Sequence, residues 1–360
     1  MSGGVDSSVA AALLQESGHQ VSGVTLMFGA RDIPDGAQAG HDHQAIAAAR
    51  ATASHLGVAH EVIDARSEFE RVVLRPAWEE YSRGRTPNPC ALCNPNVKFR
   101  LLLDHAAARG ADLVATGHHA RVAMPGATEN HTNGPVLLRG RDPEKDQSYF
   151  LFSLSGDQLE HTMLPIGDLT KEQVREKAVA LDLPNAERAE SQDACLYLPG
   201  ESFAEALRLV FDDPARPGFF VDSSGRELGR HEGIHLYTIG QRRGLGLALG
   251  QRAWVLAIDP EGNRVIVGTR EEDLFCRRLE VRSVLWHTTV KTGDALEASV
   301  QIRNRHEAAP ATVKPGASGS ALVEFRSPQR AVTPGQAAVF YAGERVLGGG
   351  WIKRACREKQ

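Results

Sequence analysis

Apolar and polar positions change their period along this chain. In the first half, short apolar, partly β-branched runs alternate with longer stretches of helical spacing. Residues 21–28 and 58–63 read as strands, and 111–116 as a third that ends in Gly117-His118-His119. Residues 9–14, 44–56, 67–81 and 97–109 read as helices, with Gly57 and Gly110 placed as helix stops. Thr170 and Gln173 have capping-box spacing for a helix over 170–181. Such βαβα alternation predicts an α/β fold with a doubly wound parallel sheet. After residue 200 the texture changes. One helix over 201–211 precedes short β runs at 218–222, 254–258 and 264–268, with turn residues at 222–225 and 259–263. From 275 the pattern is almost wholly β, with strands at 280–286, 297–302, 320–325 and 337–341, a spacing that suggests a small barrel. The predicted domains are an α/β domain over 1–199, a small mixed/β central domain over 200–274 and a C-terminal β-barrel over 275–360. Residues 125–135, rich in Gly, Asn and Thr, read as a surface loop.

Composition narrows the class. The 360 residues are 42% hydrophobic and 24% charged, as in globular proteins. No apolar run approaches about 18 residues, so no membrane contact is expected. No basic region followed by an apolar core opens the chain, and the five cysteines are an odd number. Together these predict a cytoplasmic protein with free thiols. A net charge of −4 argues against a broad basic coat. Gln241-Arg242-Arg243 and Arg303-Asn304-Arg305 are local clusters suited to phosphate, although charge alone favours a solvated surface for both.

The densest chemical signal is Ser2-Gly3-Gly4-Val5-Asp6-Ser7-Ser8, followed at once by an apolar helical run. Glycines let the backbone bend close to a ligand, successive amides form an anion nest, and the helix adds its positive dipole end. Ser2, Ser7 and Ser8 are candidate hydroxyl donors. The segment is neither a Walker loop nor G-x-G-x-x-G. It resembles the SGGxDS loop of the N-type ATP pyrophosphatases (the PP-loop enzymes), which adenylate a carbonyl oxygen and release pyrophosphate. In a doubly wound sheet ligands sit at the carboxyl ends of strands, where this loop, Met27-Phe28 and Gly117–His119 fall. The strand that should lead into the loop is absent from a chain that starts at Met1. A start assigned a few residues late is the expected reason; true loss of the strand, with loss of ATP binding, is the alternative.

A second signal lies in the cysteines. Thr86-Pro87-Asn88-Pro89-Cys90-Ala91-Leu92-Cys93-Asn94 precedes the helix expected at 97, which would place Cys93 where the dipole favours a thiolate. Cys195 lies in the distant segment Ser191-Gln192-Asp193-Ala194-Cys195. Two such cysteines suit sulfur transfer, one carrying a persulfide and the other opening the resulting disulfide. Zinc lacks a second C-x-x-C. An iron–sulfur cluster on Cys90, Cys93 and Cys195 stays open. Cys276 and Cys356 fit buried, inert thiols. His41, Asp42 and His43, in a Gly-rich stretch, read as solvated more readily than as a metal site.

Loop and cysteines together resemble the tRNA-specific 2-thiouridylases, which thiolate the wobble uridine, and the resemblance covers almost the whole chain. It includes Thr86–Pro89, Cys93-Asn94 with Lys98-Phe99, 115–121, Lys145-Asp146-Gln147-Ser148-Tyr149-Phe150, Ser191-Gln192-Asp193 with Cys195, 237–246 and 332–341. It implies ATP binding by Ser2, Gly3, Gly4, Val5, Asp6, Ser7 and Ser8 with Met27 and Gly117, and Mg²⁺ on the phosphates. It further implies Cys93 as nucleophile and Cys195 as persulfide carrier. Asn88, Pro89 and Cys90 would lie against the target base, and His118, Lys145, Asp146, Gln147, Arg303, Asn304 and Gln336 would contact tRNA. The implied partners are tRNAs for Lys, Glu and Gln and a cysteine desulfurase or sulfur-carrier protein. Many relatives have Asp where Cys90 stands, and often Arg-Tyr where this chain has Arg303-Asn304, which removes an aromatic stacking surface. The alternatives are thiolation dependent on a 4Fe–4S cluster held by Cys90, Cys93 and Cys195, another PP-loop activator that needs neither cysteine, and a tRNA-binding protein without catalysis.

Overall fold

The computed structural model describes residues 1–28, 37–124, 134–188, 195 and 200–356, with side chains masked over 37–42. The chain forms two compact units. One comprises Met1–Val73, Cys90–Pro199 and Glu344–Val346; the other comprises Leu74–Pro89, Gly200–Gly343 and Leu347–Gln360.

The first unit is α/β. Helix α1 (Val5–Glu16) begins inside the glycine loop and leads to strand β1 (Gly23–Met27), α2 (Ala37–His55) and β2 (His60–Asp64). β1 and β2 pair in parallel, Gly23 opposite His60 and Met27 opposite Asp64. The Met1 amine donates to the Val24 carbonyl, and the Thr25 hydroxyl donates to Met1 O at 2.6 Å, so the residue before the loop lies along β1. β3 (Val114–Ala115), β4 (Ala120–Ala123), β5 (Val136–Arg139) and β6 (Thr162–Met163) follow, with β3 parallel to β6 and β4 antiparallel to β5. Helix α9 (Lys171–Ala180) carries the expected capping box of Thr170 and Gln173. It packs on α1 through Val5, Val9, Val174 and Ala178.

Two expected helices are broken, both beside prolines. The segment read as one helix over 67–81 is α3 (Arg66–Phe69), a π-helical stretch Glu70–Leu74, and α4 (Arg75–Ser82) with Pro76 in its first turn. Proline has no N–H and clashes with the carbonyl four residues back, and the wider π turn relieves that clash. The second break follows α5 (Pro89–Cys93): a π stretch Asn94–Phe99 holds Pro95 before α6 (Arg100–Arg109). Gly110 stops α6 in the left-handed region, as expected. Cys93 thus ends one helical turn inside a continuous helical run, rather than standing before the run as the sequence implied. His41-Asp42-His43 lies within α2, not in a loop. The loop expected at 125–135 lies outside the described residues up to 133.

Short helices α7 (Ser148–Leu151) and α8 (Gly156–Glu160) complete the first unit; neither is legible in the pattern. The second unit holds α4 with α10 (Phe203–Val210). Trp78 of α4 donates to Asp213 Oδ2 at 3.0 Å and meets the His235 ring edge-on at 5.3 Å. Strands β7 (Gly218–Val221), β8 (Glu227–His231), β9 (Trp254–Asp259) and β10 (Arg264–Gly268) form one sheet around Phe220, Val255, Val265 and Val267. Strands β11 (Phe275–Trp286), β12 (Leu296–Gln301), β13 (Ala309–Pro315), β14 (Ala321–Arg330), β15 (Ala337–Ala342) and β16 (Arg345–Cys356) close into a six-stranded barrel, β11 pairing with both β14 and β16. Alternate residues fill it, among them Leu279, Val281, Val300, Val323 and Phe340. The α/β, mixed and barrel architecture is the one expected; β4, β5, β6, β8, β13 and β16 are the strands that the pattern hid.

Candidate active site

The glycine loop is built for an anion. α1 starts at Gly4 with no side-chain cap, so its first amides lack an internal acceptor. Gly3 has φ +75, and a Cβ there would lie 2.3 Å from Ala45 O, so both conformation and space demand glycine. Its carbonyl is tied inward by Asn185 Nδ2 at 3.0 Å and Arg188 Nη1 at 3.1 Å. The three serines divide. The exposed Ser2 and half-buried Ser7 hydroxyls are 3.2 Å apart at the mouth. Ser8 is fully buried, donates to Gly4 O and accepts from Asn185, so its hydroxyl is spent on the loop itself and not offered to a ligand.

Asp6 is held from two sides. Lys171 Nζ lies 2.6 Å and His119 Nε2 3.4 Å from Asp6 Oδ1. Burial works to raise its pKa, but the hydrogen bonds from His119 and Lys171, with their charge, hold it below the ordinary value. His119 is buried and its Nδ1 has no partner among the described residues. Gly117 packs on α1 directly, since a Cβ there would meet Ser7 N at 2.5 Å. Met27 ends β1, half-buried. Asn185, Arg188 and Lys171 carried no sequence signal for this site, because they reach it from segments remote in the chain, whereas His119 lies in the 117–119 strand end that the pattern placed there.

The cysteine segment is pinned by hydrogen bonds. Pro95 cannot bond the Ala91 carbonyl, and the Ser153 hydroxyl donates to it at 2.9 Å. Asn94 Nδ2 donates to Phe150 O at 2.9 Å and Gln158 Nε2 to Pro95 O at 2.7 Å. Two sequence blocks, Cys93-Asn94 and Tyr149-Phe150, are brought together in this way. Burial pushes the Cys93 thiol up to about 12 and the Cys90 thiol up to about 11, while the Lys98 ammonium pulls both down. The expected dipole-stabilised thiolate at Cys93 is therefore overturned: desolvation exceeds the favourable charge. Cys195 is exposed and near enough that its charge raises both thiols. All five cysteines are free, with no disulfide. Ser191-Gln192-Asp193 lies outside the described residues.

The remaining candidates are placed as follows. His118 Nδ1 is 2.7 Å from Thr116 Oγ1 and its Nε2 3.4 Å from Lys98 Nζ, with its ring stacked on Phe99. Burial and the Lys98 charge keep this imidazole neutral. Asp146 accepts from Arg139, Gly140 N, Ser148 N and the Ser148 hydroxyl, so its carboxylate is engaged within the fold. Gln147 bonds the His119 backbone through its amide N–H and its side-chain carbonyl. Lys145 is half-buried in the preceding turn. In the second unit, Gln336 Nε2 donates to Thr86 O at 3.2 Å and Pro87 O at 3.0 Å, next to the buried Asn88 and half-buried Pro89. Arg303 donates to Arg330 O at 3.0 Å, and Asn304 is exposed.

Comparison with known proteins gives three matching family models: tRNA methyl transferase HUP domain over residues 1–198, tRNA methyl transferase PRC-barrel domain over 212–269, and aminomethyltransferase beta-barrel domain over 276–352. The chain is 46% identical over 359 residues to tRNA-specific 2-thiouridylase MnmA of Chloroflexus aggregans, covering 98% of this chain and 97% of that one. It is 45% identical to the protein of that name from Geobacter metallireducens, covering 99% and 96%, and 44% identical to that of Heliobacterium modesticaldum, covering 98% and 91%. Near-full-length identity at this level, with all three domain models in order, shows that the chain belongs to the tRNA-specific 2-thiouridylase family.

Proposed function

We propose that this protein replaces the C2 oxygen of a tRNA wobble uridine with sulfur, using ATP. The reading is supported above all by one arrangement: an uncapped α1 N-terminus behind Ser2–Ser8 in the same unit as the buried Cys93, half-buried Cys90 and exposed Cys195 thiols. The uridine carbonyl oxygen attacks the α-phosphorus of ATP, and pyrophosphate leaves into the amide nest of Gly4, Val5 and Asp6. Ser2 and Ser7 offer donors at the loop mouth, and Met27 and Gly117 flank the adenosine. Mg²⁺ enters with ATP as part of the substrate, carried on the phosphates.

The second half-reaction uses the thiols. Exposed Cys195 accepts a terminal sulfur from a cysteine desulfurase or sulfur-carrier protein and holds it as a persulfide. That sulfur attacks C2, the C2–O bond breaks, and AMP departs with the bonding electrons. Cys93, losing its proton, attacks Cys195 Sγ. The bond between Cys195 Sγ and the transferred sulfur breaks, its electron pair stays on 2-thiouridine, and a Cys93–Cys195 disulfide forms. A reducing thiol of the cytoplasm restores both cysteines. A target base must leave its stack, at about a few kcal/mol, which an anticodon-loop base meets in part already. Asn88, Pro89 and Cys90 are assigned to that base, and His118, Lys145, Asp146, Gln147, Arg303, Asn304 and Gln336 to tRNA contact or to holding the segments that make it. tRNAs for Lys, Glu and Gln are the expected substrates.

The residues do not fit a 4Fe–4S cluster. Among the described residues no three His, Cys, Asp or Glu side chains gather in a metal-holding group. The test is nucleoside mass spectrometry on tRNA incubated with the protein, ATP, Mg²⁺ and a sulfur source. A 2-thiouridine peak that requires ATP, Cys93 and Cys195 is expected. No peak, or full activity in Cys195→Ser, overturns the reading.

A further inference from the structure

Residues 241–253 of the second unit, Gln-Arg-Arg-Gly-Leu-Gly-Leu-Ala-Leu-Gly-Gln-Arg-Ala, contain three arginines and no acidic residue, in a chain whose net charge is −4. Arg242 and residues 244–253 line an open concavity of about 720 Å³, and Arg243 stands between them in the chain. Most arginines of this protein are neutralised: Arg85, Arg100, Arg121, Arg208, Arg278 and Arg330, for example, each meet a carboxylate. Arg242, Arg243 and Arg252 are exposed, and none of them forms an ion pair among the described residues. Arg242 and Arg252 line the one hollow, with exposed Arg243 beside them in the chain; like charges gathered there repel each other, and an anion relieves that repulsion.

The backbone explains how the hollow is held open. Leu245 is buried and Leu247 and Leu249 are half-buried against the core of Phe220 and Val255. The intervening Gly244, Gly246, Ala248 and Gly250 face solvent. Gly244, Gly246 and Gly250 all have positive φ. Gln241 fixes the entry, accepting from Thr238 N at 3.0 Å and donating to Arg243 O at 3.1 Å. The result is a floor without large side chains, anchored from beneath and flanked by cations. It lacks an aromatic surface for stacking a base and carboxylates for reading base edges, and its one side-chain amide is that of exposed Gln251.

We infer that the 241–253 loop is a phosphodiester-binding cradle in which Arg242, Arg243 and Arg252 hold the tRNA backbone without reading its sequence. The inference rests on the tRNA reading above and names a surface within it. The phosphate geometry suits bidentate guanidinium contacts, and backbone contacts set register while carrying no base information.

The experiment is tRNA binding by the full-length protein, measured against salt from about 50 to 300 mM, for the native chain and for Arg242→Ala/Arg243→Ala/Arg252→Ala. The slope of log affinity against log salt is expected to weaken by about two units, with an affinity loss of about 10- to 100-fold at 0.15 M, equal for a tRNA bearing a wobble uridine and one lacking it. The triple Arg→Lys variant should keep most of the slope, and an unchanged melting temperature shows that the fold is intact. A native-like slope in the triple Ala variant overturns the cradle while leaving the tRNA reading in place. A loss confined to the wobble-uridine tRNA overturns the sequence-blind role. A native protein that binds no tRNA at all removes both the function reading and this inference.

Discussion

Lys171 Nζ lies 2.6 Å from Asp6 Oδ1, joining the first residue of α9 to the first turn of α1. The lysine side chain is 10% exposed and the aspartate 30%, so the pair is shielded on one side and open on the other. It fixes the acidic side chain of the glycine loop.

That pairing gives a pH-dependent prediction. Lys171→Met is expected to cost about 1–2 kcal/mol at neutral pH, a figure limited by the partial exposure of Asp6. Asp6 has a folded pKa below its unfolded value. Its contribution is therefore fully present above the unfolded pKa and is lost as pH falls through the folded one. The stability gap between native protein and Lys171→Met, read from denaturant melts, should narrow below about pH 4. A gap that widens on acidification would reverse the assignment.

The two loop glycines should differ. Gly3→Ala forces a side chain into left-handed backbone and onto Ala45 O, 2.3 Å away. About 1–3 kcal/mol of stability and at least about tenfold in ATP affinity should be lost. Gly4 has φ −88, and its Cβ would meet only Ser2 Oγ at 3.5 Å. Gly4→Ala should keep ATP affinity within about threefold by isothermal titration. Equal losses would show that the anion nest needs bare backbone at both positions.

Cys93 should behave as a buried thiol in the resting protein. With its pKa pushed up to about 12, the thiolate fraction at neutral pH is roughly one in 10⁵. Peptide-resolved alkylation should rise with pH at Cys93 without levelling off up to about pH 11, whereas exposed Cys195 reacts readily. Lys98→Ala should slow Cys93 labelling further, because the ammonium lowers this pKa. A plateau near pH 8 to 9 at Cys93 contradicts the burial argument.

The barrel corner that holds 86–87 offers a paired test. Gly335 has φ +92, and its Cβ would sit 2.7 Å from Thr86 O. Gly335→Ala should destabilise by about 2 kcal/mol or more. Gly343 also has positive φ, +57, but nothing lies within 4 Å of its Cβ position. Gly343→Ala should cost only the backbone term, about 1 kcal/mol. Comparable melting shifts for the two would remove the steric part of the argument.

Much of this protein was determined by sequence acting locally. The capping box at Thr170, the helix stop at Gly110 and the glycine loop are decided within a few residues, so local pattern finds them. The α/β texture and the alternating barrel strands follow from short-range periodicity in the same way. Tertiary structure decided the rest. β16 contains Gly348-Gly349-Gly350, which lack side chains to set a strand period, and a Cβ at Gly348 would lie 2.3 Å from Leu285 O, so the close approach of β11 is what this strand's glycines admit. Asp146 carries the same carboxylate whether it meets RNA or its own backbone, and only the folded turn from Arg139 to Ser148 committed it inward. At Cys93 the local rule and the tertiary one oppose each other: the sequence-near Lys98 ammonium favours the thiolate, and burial overrides it because removing a charge from water costs more than a neighbouring ammonium returns.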